Sequence, residues 1–355
     1  MSLFSISQFF KETFISPGRV KINKLKEHNV FFTNLSNAIS EKQKSSYELI
    51  GHGASSWRYY PMGVNKRGLV YGNGFSNNKT PALDIVDLIK KSIEVDPKIS
   101  IELDAHYAPD NHFIKQKYPN DGAYILHNLP KWDKPYMNKD SVVDYFHRNT
   151  IKNTIDFFVQ NTYYQESKVY IELKSNKECI DINCHADYCS IQSEKLAKEL
   201  IPYTSYVRED GQNWLCITSF SPLALKTFRD ALPENLKDKF DYVLILGYTG
   251  SWVKSKLAQL KGFVPRFDSQ INSFIVHSDW LNTIWFSAQG ISNYKTVFND
   301  ILLKRKEFYE EEKLTFSYST YQKKAKKMYQ LMQKNKSEKL KAEIRSFMLD
   351  LDYRI

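Results

Sequence analysis

Residues able to hold metals and move protons follow one another along the first half of this 355-residue chain: His52, Glu102 and Asp104, His127, then Glu172 and Lys174. In an extended strand, residues two apart face the same side, so Glu102 points with Asp104, and Glu172 with Lys174. Two carboxylates held that close repel unless a cation neutralises them. Three carboxylates with water are the oxygen-rich surroundings that Mg²⁺ or Ca²⁺ favours. A divalent metal, Mg²⁺ ahead of Ca²⁺, is therefore the expected cofactor. Such a cation would bind a phosphate oxygen and stabilise charge in the transition state. Two histidines beside the phosphorus would divide the proton work, one as base or nucleophile and one as acid on the leaving group. Lys174 would hold a further phosphate oxygen. None of these residues is specific alone, since a histidine at a strand end is more often a hydrogen-bonded structural residue and Glu-x-Asp recurs by chance. Their order and their shared placement carry the reading.

That placement comes from the elements around them. Compact β-branched or apolar runs read as strands at Tyr47–Gly51, Ile99–Asp104, Ala123–His127, Val169–Leu173, Trp214–Ser219, Asp241–Leu246, Ser273–His277, Thr283–Ser287 and Leu314–Tyr318. Amphipathic spacing predicts helices between them, over Leu83–Ile93, Ser193–Leu200, Leu223–Leu232, Trp252–Leu260 and Tyr294–Leu303. Alternating strands and helices imply βα units and a largely parallel sheet. The expected fold is an α/β (β/α)8 TIM barrel, distorted, with N-terminal and C-terminal helical extensions. A barrel needs eight strands, so either the Ser273 run or the Leu314 run lies outside it. Active sites of such barrels sit at the C-terminal ends of the strands, where the acids and histidines fall. Trp57–Asn78 and Asp110–Gly122 read as long loops, of a length more often functional than idle. The expected division is a helical extension over 1–45, the barrel over 46–320, and a basic helical extension over 321–355.

Composition bounds the partners. A net charge of +10 favours anionic ones, whether phosphorylated small molecules, an anionic membrane surface or nucleic acid. No nucleic-acid motif is present, which sets that class aside. The Lys-rich segment from Tyr321 reads first as a solvated helix on the barrel, and second as a peripheral contact with anionic membrane. Cys179, Cys184 and Cys189 are spaced too widely for zinc knuckles, although His185 adjoins Cys184. Reduced thiols are the expected state of these and of Cys216. No run approaches a membrane span, and Met1–Val20 lacks the pattern of a secretory leader. Cytoplasmic synthesis is expected, with signal-independent secretion left open.

The pieces GHGAS (Gly51–Ser55), IELD (Ile101–Asp104), AYILH (Ala123–His127), IELK (Ile171–Lys174), SFSPLAL (Ser219–Leu225) and IWFS (Ile284–Ser287) resemble the glycerophosphodiester phosphodiesterases. They resemble equally the related sphingomyelinase D-type phospholipases D, over roughly Tyr47 to Leu303. The resemblance implies a distorted TIM barrel, a divalent metal and two catalytic histidines. It assigns His52 and His127 as the catalytic pair, and Glu102, Asp104 and Glu172 as metal ligands. Lys174 becomes the lysine after the third ligand, and Trp285 a tryptophan lining the substrate pocket.

The departures matter as well. Gly53 follows His52 where these phosphodiesterases carry an arginine, and Asn128 rather than Asp follows His127. The short gap from His127 to Glu172 and the run Lys195–Tyr203 look more like the sphingomyelinase D side. Glu172 stands where that side carries Asp, and 130–133 lacks its cysteine. The implied activity is cleavage of a glycerophosphodiester or (lyso)phospholipid on the head-group side, releasing the alcohol. The alternative is an inactive barrel that binds phospholipid or phosphate. Tyr59, Tyr60, Tyr71 and Phe75 would either cage a choline-like head group or pack the loop after His52, and packing is the favoured reading.

Overall fold

The computed structural model describes residues 48–56, 59–72, 80–108, 110, 112–127, 138–174, 187–246, 269–287, 303–309, 314–321 and 344–350. Strands of one parallel sheet run through it: β1 (Glu48–Gly51), β2 (Ser100–His106), β3 (Val169–Leu173), β4 (Leu215–Ser219), β5 (Asp241–Leu246), β6 (Thr283–Ser287), β7 (Thr315–Tyr321) and β8 (Ile344–Asp350). Each pairs in parallel with the next in this order, and β1 pairs with both β2 and β8. The curled sheet thus meets itself as a distorted barrel.

Strand alternation sorts the apolar residues of the barrel strands into an inner and an outer set. Ile50, Tyr170, Cys216, Val243, Ile245 and Trp285 pack together inside the curl. Their neighbours along the strands, among them Leu49, Ile101, Ile171, Ile217 and Leu244, join the outer core with the helices. Both faces of β2, β3 and β4 are buried from end to end, as covered parallel strands must be.

The helices are α1 (Ile85–Val95), α2 (Phe113–Lys117), α3 (Lys139–Arg148), α4 (Ile151–Gln160), α5 (Asp187–Leu200), α6 (Pro222–Asp230) and α7 (Ser269–His277). In α1 the spacing of Ile85, Leu88, Ile89 and Ile93 makes one apolar stripe, and all four are buried. In α6, Ser221 caps the start by accepting from Ala224 N–H at 3.2 Å, while Pro222 presets the first turn. Such a cap contributes about 1 kcal/mol.

Five expectations are corrected. Ser273–His277 is not a strand but the end of α7. Burial falls on the adjacent Ile275 and Val276 while Ser273 and His277 are exposed, which is a helical pattern rather than an alternating one. Ala123–His127 is not a barrel strand: only Tyr124–Ile125 is extended, and it pairs antiparallel with Ala105–His106 at the end of β2. The expected loop Asp110–Gly122 contains α2, and Trp57–Asn78 carries pieces of a small antiparallel sheet, Gly63–Val64 and Val70–Gly72. Finally, the helical reading of 321–355 fails over Ile344–Asp350, which forms β8, so the barrel extends past residue 320. A strand there satisfies the open edges of β1 and β7 together. The Leu314 run lies in the barrel as β7. The expected N-terminal extension and the helices over Trp252–Leu260 and 294–302 lie outside the described residues.

Candidate active site

β2 and β3 bring the carboxylates together. Inward-facing Glu102 and Asp104 lie two apart on β2, and the register sets Asp104 beside Glu172 of β3. All three are buried, at 1%, 0% and 5% exposure. One ligand oxygen from each lies within 4.8 Å of the others. Lys174, just past β3 on the same face, places its Nζ 2.8 Å from Asp104 Oδ1 and 2.8 Å from Glu172 Oε1.

The loop after β1 carries His52 into this cluster. Gly53, Ala54 and Ser55 have φ of 56°, 52° and 69°, a left-handed turn that non-glycine residues rarely adopt. The turn is held by β2: Gly53 N–H donates to Glu102 Oε2 at 2.8 Å, and Ala54 N–H to the Glu102 carbonyl at 3.0 Å. A side chain at Gly51 would collide with Ser55, so glycine is required where the turn folds back. The result sets His52 Nε2 3.9 Å from Glu102 Oε2, with the ring 16% exposed.

His127 arrives from the other side. Leu126 N–H donates to the Asp104 carbonyl at 3.2 Å, and His127 N–H to the Pro61 carbonyl at 2.9 Å. Its ring is near enough to Asp104 to favour that carboxylate's charge. Tyr60, wholly buried, accepts through its hydroxyl from Asp104 N–H at 2.6 Å. Tyr59 is buried too, so these two aromatics pack the loop, and Phe75 lies outside the described residues.

The electrostatics follow from burial and crowding. Burial, then Asp104, holds Glu102 well above the usual carboxylate range, with Glu172 adding and His52 and Lys174 opposing. Burial also raises Glu172 against the pull of Lys174. In Asp104 burial is outweighed by Lys174, His127 and His52, and its pKa falls. Burial would lower Lys174, but Asp104, Glu172 and Glu102 hold its charge in place. One ammonium against three carboxylates leaves the cluster short of positive charge.

Unsatisfied groups point the same way. Among the described residues, Glu102 Oε1, Asp104 Oδ2, both ring nitrogens of His106, Ser55 Oγ, Thr218 Oγ1 and Trp285 Nε1 are buried without a hydrogen-bond partner. Folded proteins leave few such groups, and while others, such as Gln192 Nε2 and Trp214 Nε1, lie elsewhere, these fall on the inward faces of the strands and the turn after β1. The donor set fits a hard divalent cation: three carboxylates, close together, with oxygens still free to coordinate.

The structure therefore brings together His52, Glu102, Asp104, His127, Glu172 and Lys174. Trp285 also faces the inside of the curl. It is 1% exposed, and its ring packs at 4.9 Å on Tyr170, two residues before Glu172 on the same face. Sequence reasoning missed His106, and it named Tyr60 and Gly53 without their hydrogen bonds to Asp104 and Glu102. His106 had a legible signal, since it continues the Glu102-x-Asp104 alternation by one step. Cys179, Cys184 and His185 lie outside the described residues, and Cys216 is a buried free thiol.

No family model and no curated protein matches this sequence. Among solved structures, the chain is similar to a glycerophosphodiester phosphodiesterase from Parabacteroides distasonis. The two share 9% identity over 87% of this chain and 94% of that one, with a TM-score of 0.44.

Proposed function

We propose that this protein is a metal-dependent phosphodiesterase that cleaves a glycerophosphodiester or (lyso)phospholipid on the head-group side and releases the alcohol. The observation that carries the reading is the buried triad Glu102, Asp104 and Glu172, with its ligand oxygens within 4.8 Å of one another. The motifs that resemble phosphodiesterases fall on the same residues.

The triad would hold the divalent cation, Mg²⁺ ahead of Ca²⁺, which when bound supplies Lewis-acid stabilisation of phosphoryl oxygens. Lys174 locks Asp104 and Glu172 in place and adds positive charge beside the phosphate position. His52 and His127 approach the carboxylates from separate loops, as a base and an acid on opposite sides of a scissile bond require. Burial keeps water from screening these charges, so each acts more strongly than at a surface. The Lys-rich segment from Tyr321 would add a peripheral contact with anionic membrane.

The test is choline release from glycerophosphocholine, lysophosphatidylcholine and sphingomyelin in the presence of Mg²⁺ or Ca²⁺. Release from at least one, abolished by EDTA and by Asp104→Asn, is the expected result. Cation binding with no release from any of them would replace this reading with an inactive barrel that binds phosphate ligands.

A further inference from the structure

His106 is the last residue of β2 and lies on the same inward face as Glu102 and Asp104, one alternation nearer the mouth of the barrel. Its side chain is 1% exposed, yet neither ring nitrogen completes a hydrogen bond. A core position so placed would ordinarily be apolar, because an unpaired buried imidazole costs stability. Its surroundings are specific. Asp104 and Lys174 lie close enough to interact with it electrostatically, and the backbone of Leu126 and His127 lies on its hydrogen-bonding side. The antiparallel pairing of His106 with Tyr124 brings that backbone there.

A neutral imidazole has one N–H and one bare nitrogen. The carbonyl-bearing backbone of Leu126 and His127 favours the N–H on its own side, which leaves the bare nitrogen for the site. A bare nitrogen accepts from a donor, and none of the described residues completes that bond. We infer that His106 is a further ligand-binding residue of the carboxylate site, accepting a hydrogen bond from an O–H group held there. Two sources share this chemistry: a free hydroxyl of the phosphodiester substrate, or a water on the cation. The inference rests on the phosphodiesterase reading and names what that reading leaves unassigned.

The experiment compares the full-length protein with His106→Leu and His106→Gln. Thermal stability, Mn²⁺ affinity by calorimetry, and turnover of glycerophosphocholine and of its deoxy analogue propylphosphocholine, which lacks both free hydroxyls, are measured. His106→Leu is expected to melt close to the wild type, because neither ring nitrogen completes a hydrogen bond that the substitution would break. Its kcat/KM on glycerophosphocholine should fall roughly tenfold, the worth of one neutral hydrogen bond, with partial rescue in His106→Gln. If the substrate hydroxyl is the donor, the fall spares the deoxy analogue. If water on the cation is the donor, both substrates suffer equally and Mn²⁺ binds several-fold more weakly. Unchanged kinetics and Mn²⁺ affinity would overturn the inference while leaving the phosphodiesterase reading intact. So would a loss of folding in both variants. If the wild type turns over neither substrate, the phosphodiesterase reading fails, and unchanged Mn²⁺ affinity in His106→Leu then removes the inference with it.

Discussion

The main-chain N–H of Gly53 donates to the carboxylate of Glu102 at 2.8 Å, so the residue after the first histidine is fastened to the first acid of the triad. One hydrogen bond thus couples the position of His52 to the strand that carries the metal ligands. It also leaves Glu102 Oε1 uncommitted. The turn that makes the bond possible runs through three left-handed residues, of which only Gly53 is glycine.

Gly53→Ala therefore adds one more strained residue to a turn that already contains two. The expected cost is about 1–2 kcal/mol of stability. Activity should fall more than stability, because His52 shifts with the turn. Urea unfolding and choline release, measured side by side, check this. Equal activity in the two proteins would show that the turn does not position His52.

Lys174 bridges two buried carboxylates, and its removal leaves them without their nearest cation. Lys174→Met should destabilise the metal-free protein by about 3–5 kcal/mol, as breaking a buried ion pair does. Added Mg²⁺ should restore more stability to this variant than to the wild type. Thermal melts with and without Mg²⁺ read both effects.

His52→Ala and His127→Ala should each lower turnover by about 10²–10⁴-fold, the range of general acid–base catalysis. Neither should abolish Mn²⁺ binding, since the three carboxylates remain. Calorimetry and initial rates separate the two effects. A large loss of Mn²⁺ affinity in either variant would make that histidine a ligand rather than a proton carrier.

Glu199 of α5 accepts from the Tyr107 hydroxyl at 2.5 Å and from Ala123 N–H at 3.0 Å, so it ties the end of β2 to the segment leading to His127. Burial raises its pKa above the usual value, against those hydrogen bonds and Lys115. A carboxyl whose folded pKa is raised resists ionisation in the fold. Its ionisation therefore costs stability as pH climbs from the unfolded value through the folded one, and the cost stays constant above that. Glu199→Gln keeps the acceptor oxygen without the charge. Its stability relative to wild type should rise as pH increases from acid to neutral, read from melts across that range. No pH dependence in the difference would mean that the buried carboxyl ionises freely.

Most barrel strands were legible because their sequences are short, β-branched and buried on both faces. VYIEL and DYVLIL admit no helical stripe, and their bounds match the prediction. SFIVH misled because a short apolar run has no period long enough to separate a strand from the end of a helix. Ile344–Asp350 was hidden by the Lys-rich residues before it, which set a helical expectation that the strand's own alternation was too short to contest. The carboxylates and Lys174 could be read from strand parity and order, whereas His127 was expected at the end of a barrel strand that does not form. Tyr60 and Gly53 could not be so read, because their roles depend on where a loop lands. His106 could have been read, but a histidine two places beyond an acidic pair looks like an ordinary strand end until its burial is known.

The pairing of β1 with β8 also has a consequence in time. Its partners, such as Glu48 and Ser346, come from opposite ends of the described chain. A ribosome delivers β1 early and β8 late, so during synthesis the strand leading to His52 must wait with one edge bare. Closing so long a loop is entropically slow, and a bare β edge invites strangers. β1 and the turn that seats His52 can dock on β2 early, but a nascent chain stalled before Ile344 would leave the other edge of β1 unpaired and present its carboxylates in an open trough.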